Sequence, residues 1–117
     1  MTACRGIRGA TTADANTQEA IHEATVELVQ ALIDANHLEE DSLAAVFFIL
    51  TPDLDTAFAA TAARGLAWPN APLIDITQVD VKGSLPHCIR ILILVNTDKE
   101  PKDLVYIYLK GAESLRA

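Results

Sequence analysis

Cations are scarce in this chain. Only nine of its 117 residues are lysine or arginine, against 16 aspartates and glutamates, for a net charge of −7. That balance argues against nucleic acid or an anionic membrane surface as the main partner. Cysteine is nearly absent. Cys4 and Cys88 are too few for a disulfide framework and lack metal-ligand spacing. No uninterrupted apolar stretch approaches the roughly 20 residues of a membrane span, and Met1-Thr2-Ala3-Cys4-Arg5 lacks the apolar core of a signal peptide. No internal repeat, low-complexity linker, Ser/His/Asp set, glycine-rich phosphate loop or metal cluster is legible. The expectation is a soluble cytoplasmic protein whose site needs neither cofactor nor metal.

What is present is a large apolar fraction. Half the residues are hydrophobic, enough for one domain over residues 1–117 to bury a core without staples. Charge is unevenly spread. Between Arg8 and Arg64 there are ten acidic residues and no lysine or arginine; from Arg64 onward seven basic residues face six acidic ones.

The pattern alternates strands and helices. Residues 4–10 read as a short strand. Asn16 is positioned as an N-cap, with Glu19 completing a capping box. Ile21, Ala24, Leu28, Ala31, Leu32 and Ala35 then recur at helical spacing, predicting a helix over 17–36. Glu19, Glu23 and Glu27 repeat on another face of that helix and read as a solvated surface. Residues 44–50 read as a buried strand. Thr51-Pro52-Asp53 ends it and is expected to cap a second helix through about Leu66. Strands follow at 73–76, 87–95 and 104–109, and the tail from Lys110 is at most a loose turn. Five strands and two main helices predict an α+β (mixed α/β) domain with a mixed sheet. Two helices cover only one face of such a sheet, so the other meets water or another subunit. Residues 88–95 are apolar on both parities apart from Arg90, which favours a subunit interface over a wet face.

Arg90 is the anomaly. In Cys88-Ile89-Arg90-Ile91-Leu92-Ile93-Leu94-Val95, strand alternation puts it on the face of Cys88 and Leu92. A guanidinium there needs an anionic partner. Either one of the chain's own acids supplies it, or a bound anion does, for which arginine's planar donor set is suited. Arg8 repeats the pattern in Arg5-Gly6-Ile7-Arg8-Gly9. Arg5 and Arg8 are an odd number of residues apart and so face opposite ways. Tyr106 and Tyr108 share one face of the last strand. His22 and His37 read as helix-surface residues and His87 as a strand-entry residue. Spacing alone therefore suggests a cofactor-free site for a small carboxylate.

The segments Arg5-Gly-Ile-Arg8-Gly-Ala-Thr-Thr12, Thr51-Pro-Asp-Leu54, Phe58 with Arg64, Asp80-Val81, Cys88-Ile-Arg90, and Tyr108-Leu109 with Leu115-Arg116 together resemble the small trimeric chorismate mutases of the Bacillus type, a class unrelated in fold to the all-helical one. The resemblance implies a homotrimer whose three mixed sheets pack around a central pseudo-α/β barrel, with an active site at each subunit interface. It implies the Claisen rearrangement of chorismate to prephenate on the route to phenylalanine and tyrosine. A paralogue that only binds a small dicarboxylate on the same fold is the alternative. By resemblance, Arg90 donates to the ether oxygen and a substrate carboxylate. Arg8 and Tyr108 hold the side-chain carboxylate. Phe58 and Leu115 are apolar walls, and Arg64 and Arg116 lie near the entrance and in the closing tail. Two positions depart from the family's pattern at its catalytic carboxylate: Gln78 stands where a glutamate is usual, and Asp75 where a cysteine is. The expectation is that Asp75 supplies the negative charge and Gln78 is a neutral neighbour. Thr61 stands where a lysine is frequent.

Overall fold

The most apolar stretch of the chain forms the centre of the fold. A computed structural model describes residues 2–116, apart from the side chain of residue 116. In it five strands, β1 (Ala3–Thr12), β2 (Leu43–Leu50), β3 (Leu73–Thr77), β4 (Cys88–Thr97) and β5 (Ile107–Tyr108), make one sheet in the order β3-β2-β4-β1-β5. The Ile/Leu-rich β4 lies in the middle, antiparallel to β1 and β2. The outer pairs β2–β3 and β1–β5 are parallel, so the sheet is mixed as expected.

Alternation sorts the side chains. Ile89, Ile91, Ile93 and Val95 of β4 and Val46, Phe48 and Leu50 of β2 are buried, and they join one core with Ile7 of β1. Helix α1 (Gln18–Asn36) adds Ile21, Ala24, Leu28, Val29 and Leu32 to this core. Helix α2 (Ala59–Leu66) adds Ala59, Ala60 and Ala63. Both helices therefore cover the same face. Gly9 shows how closely they approach. A Cβ there would lie 3.0 Å from the carbonyl oxygen of Ile107, 3.0 Å from Leu32 Cδ1 and 3.2 Å from Ile91 Cγ2, so a side chain would press β5 and α1 a few tenths of an ångström away from β1.

The local ends differ from the sequence expectation, for identifiable reasons. Thr17 rather than Asn16 caps α1, accepting from the Ala20 N–H at 3.1 Å. Asn16 is engaged elsewhere. Its amide donates to Asp55 at 2.7 Å and its carbonyl accepts from the Asp55 N–H and the Thr56 hydroxyl. The second helix starts at Ala59, because the expected cap residues serve the sheet. The Thr51 hydroxyl donates to Asp53 at 2.5 Å and accepts from the Cys88 N–H at 3.0 Å, while both Asp53 oxygens accept from the His87 N–H. The last strand is only Ile107–Tyr108. The side chain of Asn36 takes up both backbone groups of Val105, accepting from its N–H at 2.8 Å and donating to its carbonyl at 2.9 Å, where a longer strand would pair them. The tail is a 3₁₀ segment, Lys110–Arg116, seated by buried Ala112. None of the helices in the described residues is long and apolar enough to cross a membrane.

Candidate active site

The face of the sheet left uncovered by the helices carries the anomalous arginines. Strand pairing aligns Ile76, Ile49, Arg90, Ala10 and Tyr108 in one row across all five strands. The adjacent row contains Ile74, Phe47, Leu92 and Arg8. The rest of this face is apolar and only half covered: Phe47, Ile49, Leu92 and Leu94 are partly buried, and Ile74 and Ile76 are exposed.

Arg90 is partly buried, and its Nε–H donates to Gln78 Oε1 at 2.9 Å. Gln78 reaches it because its own N–H bonds the Leu50 carbonyl at 2.7 Å, extending the β2–β3 ladder one residue beyond β3. Among the described residues Arg90 meets the neutral Gln78 amide and the Cys88 thiol. A guanidinium has five N–H donors, so others remain for an anion. Cys88, two residues earlier on the same face, is buried. Burial pushes its thiol above the usual range, while the nearby Arg90 guanidinium opposes that rise. Ala10, Cys88 and Ala112 form a small second cluster, and Tyr108 and Leu115 pack against it. Arg8, Gln78, Arg90, Tyr108 and Leu115 are thereby gathered on one face.

Arg5 points the other way, as its spacing from Arg8 requires. Its Nε–H donates to the Lys99 carbonyl at 3.3 Å, and a terminal nitrogen lies 3.9 Å from Glu100. His22 and His37 are exposed, His37 as the left-handed C-cap of α1 (φ 53°), and His87 likewise holds a left-handed backbone (φ 50°), its N–H bonding Asp53.

A second group lies around a cavity of about 610 Å³, a volume suited to a small ligand, at the ends of β2 and β3; Ile76 of the open-face row also lines it. Phe58, Thr61 and Asp75 line it, and the Phe58 ring is 72% exposed. Arg64 is exposed one helical turn beyond Thr61 on α2. Asp75 alternates with Ile76 and so points to the helix side, away from Arg90 of the same chain. Within one chain the neighbour of Arg90 is Gln78, and Asp75 lies on the helix side of β3. Asp75 instead accepts from the Ala60 N–H at 3.1 Å and serves as the N-terminal cap of α2, since Phe58 at that end makes no capping bond. Burial raises the Asp75 carboxyl above its ordinary value, against the opposing pull of the Ala60 and Ala59 N–H groups and of Arg64. The side chain of Arg116 lies outside the described residues.

Two features of this region are not evident from composition. The Thr51–Asp53 clamp on His87 and Cys88 fixes the entry of β4 two residues before Arg90; its only sequence signal is the Thr51-Pro-Asp-Leu54 segment. The ring of Tyr106 lies over the guanidinium of Arg8, 5.3 Å from centroid to Cζ, signalled only by its shared parity with Tyr108. Among the described residues no group of three or more His, Cys, Asp or Glu side chains is placed to hold a metal ion.

Comparison with known proteins gives a consistent result. The family described as chorismate mutase type I matches residues 4–117. The chain is 46% identical over 113 residues to chorismate mutase AroH of Thermus thermophilus, covering 96% of this chain and 93% of that one. It is 36% identical over 113 residues to chorismate mutase AroH of Bacillus subtilis, covering 96% and 89%. A solved chorismate mutase structure from Clostridium thermocellum superposes with a TM-score of 0.91 at 44% identity, covering 94% of this chain and 98% of that one.

Proposed function

The chain belongs to the chorismate mutase type I family, and we propose that it converts chorismate to prephenate, in the cytoplasm, for aromatic amino-acid biosynthesis. The observation that carries this reading in the site itself is Arg90: a guanidinium on a largely apolar sheet face, held at 2.9 Å by a neutral amide and flanked by Arg8 and Tyr108. The rearrangement is a concerted shift of electron pairs within one molecule. An enzyme accelerates it by holding the extended dicarboxylate in its compact, reactive conformer and by stabilising negative charge that develops on the breaking ether oxygen. In this reading Gln78 fixes the plane of Arg90, which donates to that oxygen and to a ring carboxylate. Arg8 and Tyr108 hold the second carboxylate, and Leu115 closes the apolar side.

Phe58, Thr61, Arg64 and Asp75 complete the site from a second copy of the chain. Two observations support this. Phe58, Thr61 and Asp75 line the cavity beside α2 while Arg90 and Gln78 meet on the open face, an arrangement that a neighbouring chain can close into one site. And the open face exposes a band of isoleucine, leucine and phenylalanine of the kind that subunits bury. A homotrimer with interfacial sites satisfies both. Asp75 then brings its carboxylate to the Arg90 of its neighbour, supplying the negative charge that Gln78 lacks. Arg64 and Arg116 guard the entrance.

The test is direct. Purified protein is added to chorismate and the loss of its ultraviolet absorbance is followed. Turnover that Arg90→Ala abolishes and Arg5→Ala retains is the expected result. Binding of chorismate without turnover would overturn the reading in favour of a binding module.

A further inference from the structure

Arg8 and Arg5 are three residues apart on one strand, yet their charges are handled differently. Arg5 spends its Nε–H donor on the Lys99 carbonyl and lies near Glu100. Arg8 pairs with no carboxylate among the described residues; its guanidinium carbon sits 5.3 Å from the centre of the Tyr106 ring. A ring face within about 6 Å attracts a cation through its quadrupole but accepts none of the in-plane N–H donors. It therefore fixes where the charge is without consuming its hydrogen-bonding edge.

The ring is well anchored for this task. The parallel register pairs Gly9 with Ile107 and Ala10 with Tyr108, so one residue earlier Tyr106 comes beside Arg8, on the same face as Tyr108. The backbone leading into Tyr106 is held by Asn36, which is 4% exposed and bonds both the N–H and the carbonyl of Val105. The ring thus stands on a support that reaches back to the C-terminal end of α1.

We propose that Tyr106 is a positioning residue for substrate binding: its ring face holds the Arg8 guanidinium flat, with its N–H edge free to meet a substrate carboxylate. The proposal rests on the reading of Arg8 as a carboxylate-holding group. Without the ring, Arg8 is a flexible exposed side chain that must be ordered anew by each substrate, an entropy cost that falls on binding.

The experiment is a double-mutant cycle read by steady-state kinetics and by the Arg8 Nε–H proton resonance. Tyr106→Leu is expected to raise KM by about three- to tenfold, the scale of one partly exposed cation–ring contact, with kcat within about twofold and Tm little changed. Tyr106→Phe, which keeps the ring and loses the hydroxyl, should restore the unsubstituted KM. In an Arg8→Ala background, Tyr106→Leu should add nothing. The ring-current shift of the Arg8 resonance should persist in Tyr106→Phe and vanish in Tyr106→Leu. An unchanged KM in Tyr106→Leu with intact turnover would overturn this proposal and leave the function standing. Equal loss in Tyr106→Phe and Tyr106→Leu, or a full KM effect without Arg8, would also overturn it. No turnover by the unsubstituted protein would remove both.

Discussion

The two faces of the sheet are made of the same strands and do opposite work. The helix-covered face of β2 and β4 presents Val46, Phe48, Leu50, Ile89, Ile91, Ile93 and Val95, all at most 6% exposed, with no charge among them. The other face interleaves Phe47, Ile49, Leu92 and Leu94 with Arg90, and carries Arg8, Gln78 and Tyr108 around it. One residue of alternation separates hydrocarbon packing from a row that carries a guanidinium. Stability is concentrated on the first face, where each side chain is fully removed from water. The charged and polar side chains are concentrated on the second, which the proposed reaction would use. The face that carries Arg8 and Arg90 is thus the one the helices do not cover.

Paired truncations on adjacent strands test this division most strongly. Arg90→Ala should lower kcat by two to three orders of magnitude, corresponding to about 3–4 kcal/mol for one preorganised donor to a developing oxyanion, with little change in Tm. Phe48→Ala, on the opposite face of β2, should cost about 3–5 kcal/mol of stability in denaturant unfolding, with kcat of the folded fraction preserved. A large loss of stability in the first or a large loss of kcat in the second would break the comparison. Arg90→Lys should rescue only partly, since an ammonium keeps the charge and loses the planar fork.

Gly9→Ala tests the covered face where it is tightest. A methyl group would press on the Ile107 carbonyl at 3.0 Å, a backbone atom that must shift by a few tenths of an ångström to admit it. A cost of about 1–3 kcal/mol in thermal or chemical unfolding is expected. KM should also rise, because β5 carries Tyr108 onto the open face.

Asp75 and Gln78 sharpen the comparison at the edge strand. Asp75→Ala should lower kcat at least tenfold, or about 1.4 kcal/mol; normal turnover in Asp75→Ala with loss in Gln78→Ala would refute the assignment of the negative charge to Asp75. Asp75→Asn separates its two roles, since it keeps an acceptor for the Ala60 N–H while removing the charge. It should retain Tm and lose kcat.

The smallest effect is expected at the clamp below Arg90. Burial works to raise the Asp53 carboxyl, but the Thr51 hydroxyl, the His87 N–H and the His87 charge outweigh it, and the group is held below its ordinary value. Asp53 therefore contributes stability that is present above the unfolded carboxylate range and is lost as pH falls through the lower, folded value. Asp53→Asn should destabilise by less than about 1 kcal/mol near neutral pH, since the partly exposed group is screened by solvent. The difference from the unsubstituted protein should close in strongly acidic unfolding experiments.

Much of this division was legible in the order of residues. Strand alternation is a local property, so an arginine at an even position among isoleucines reveals its face without any knowledge of the partners. The opposite orientations of Arg5 and Arg8, the mixed five-stranded sheet and the bare second face follow in the same way. The helix starts and the last strand did not. Asn16, Asp53 and Asn36 are good capping and turn residues by type, but each is taken by a distant backbone: Asn16 by Asp55, Asp53 by His87, Asn36 by Val105.

The sequence by itself determined that a cation stands on an apolar strand, which face it takes, and that the chain has the segments of a chorismate mutase. Only the tertiary structure decided which neighbour meets it. Asp75 and Gln78 are three residues apart at the end of β3, and either could be drawn to Arg90 on charge or on reach. The parallel register of β3 on β2 sends Asp75 to the helix side and Gln78 to the open face. Register is set by contacts between segments far apart in the chain, whereas parity is set within a single strand.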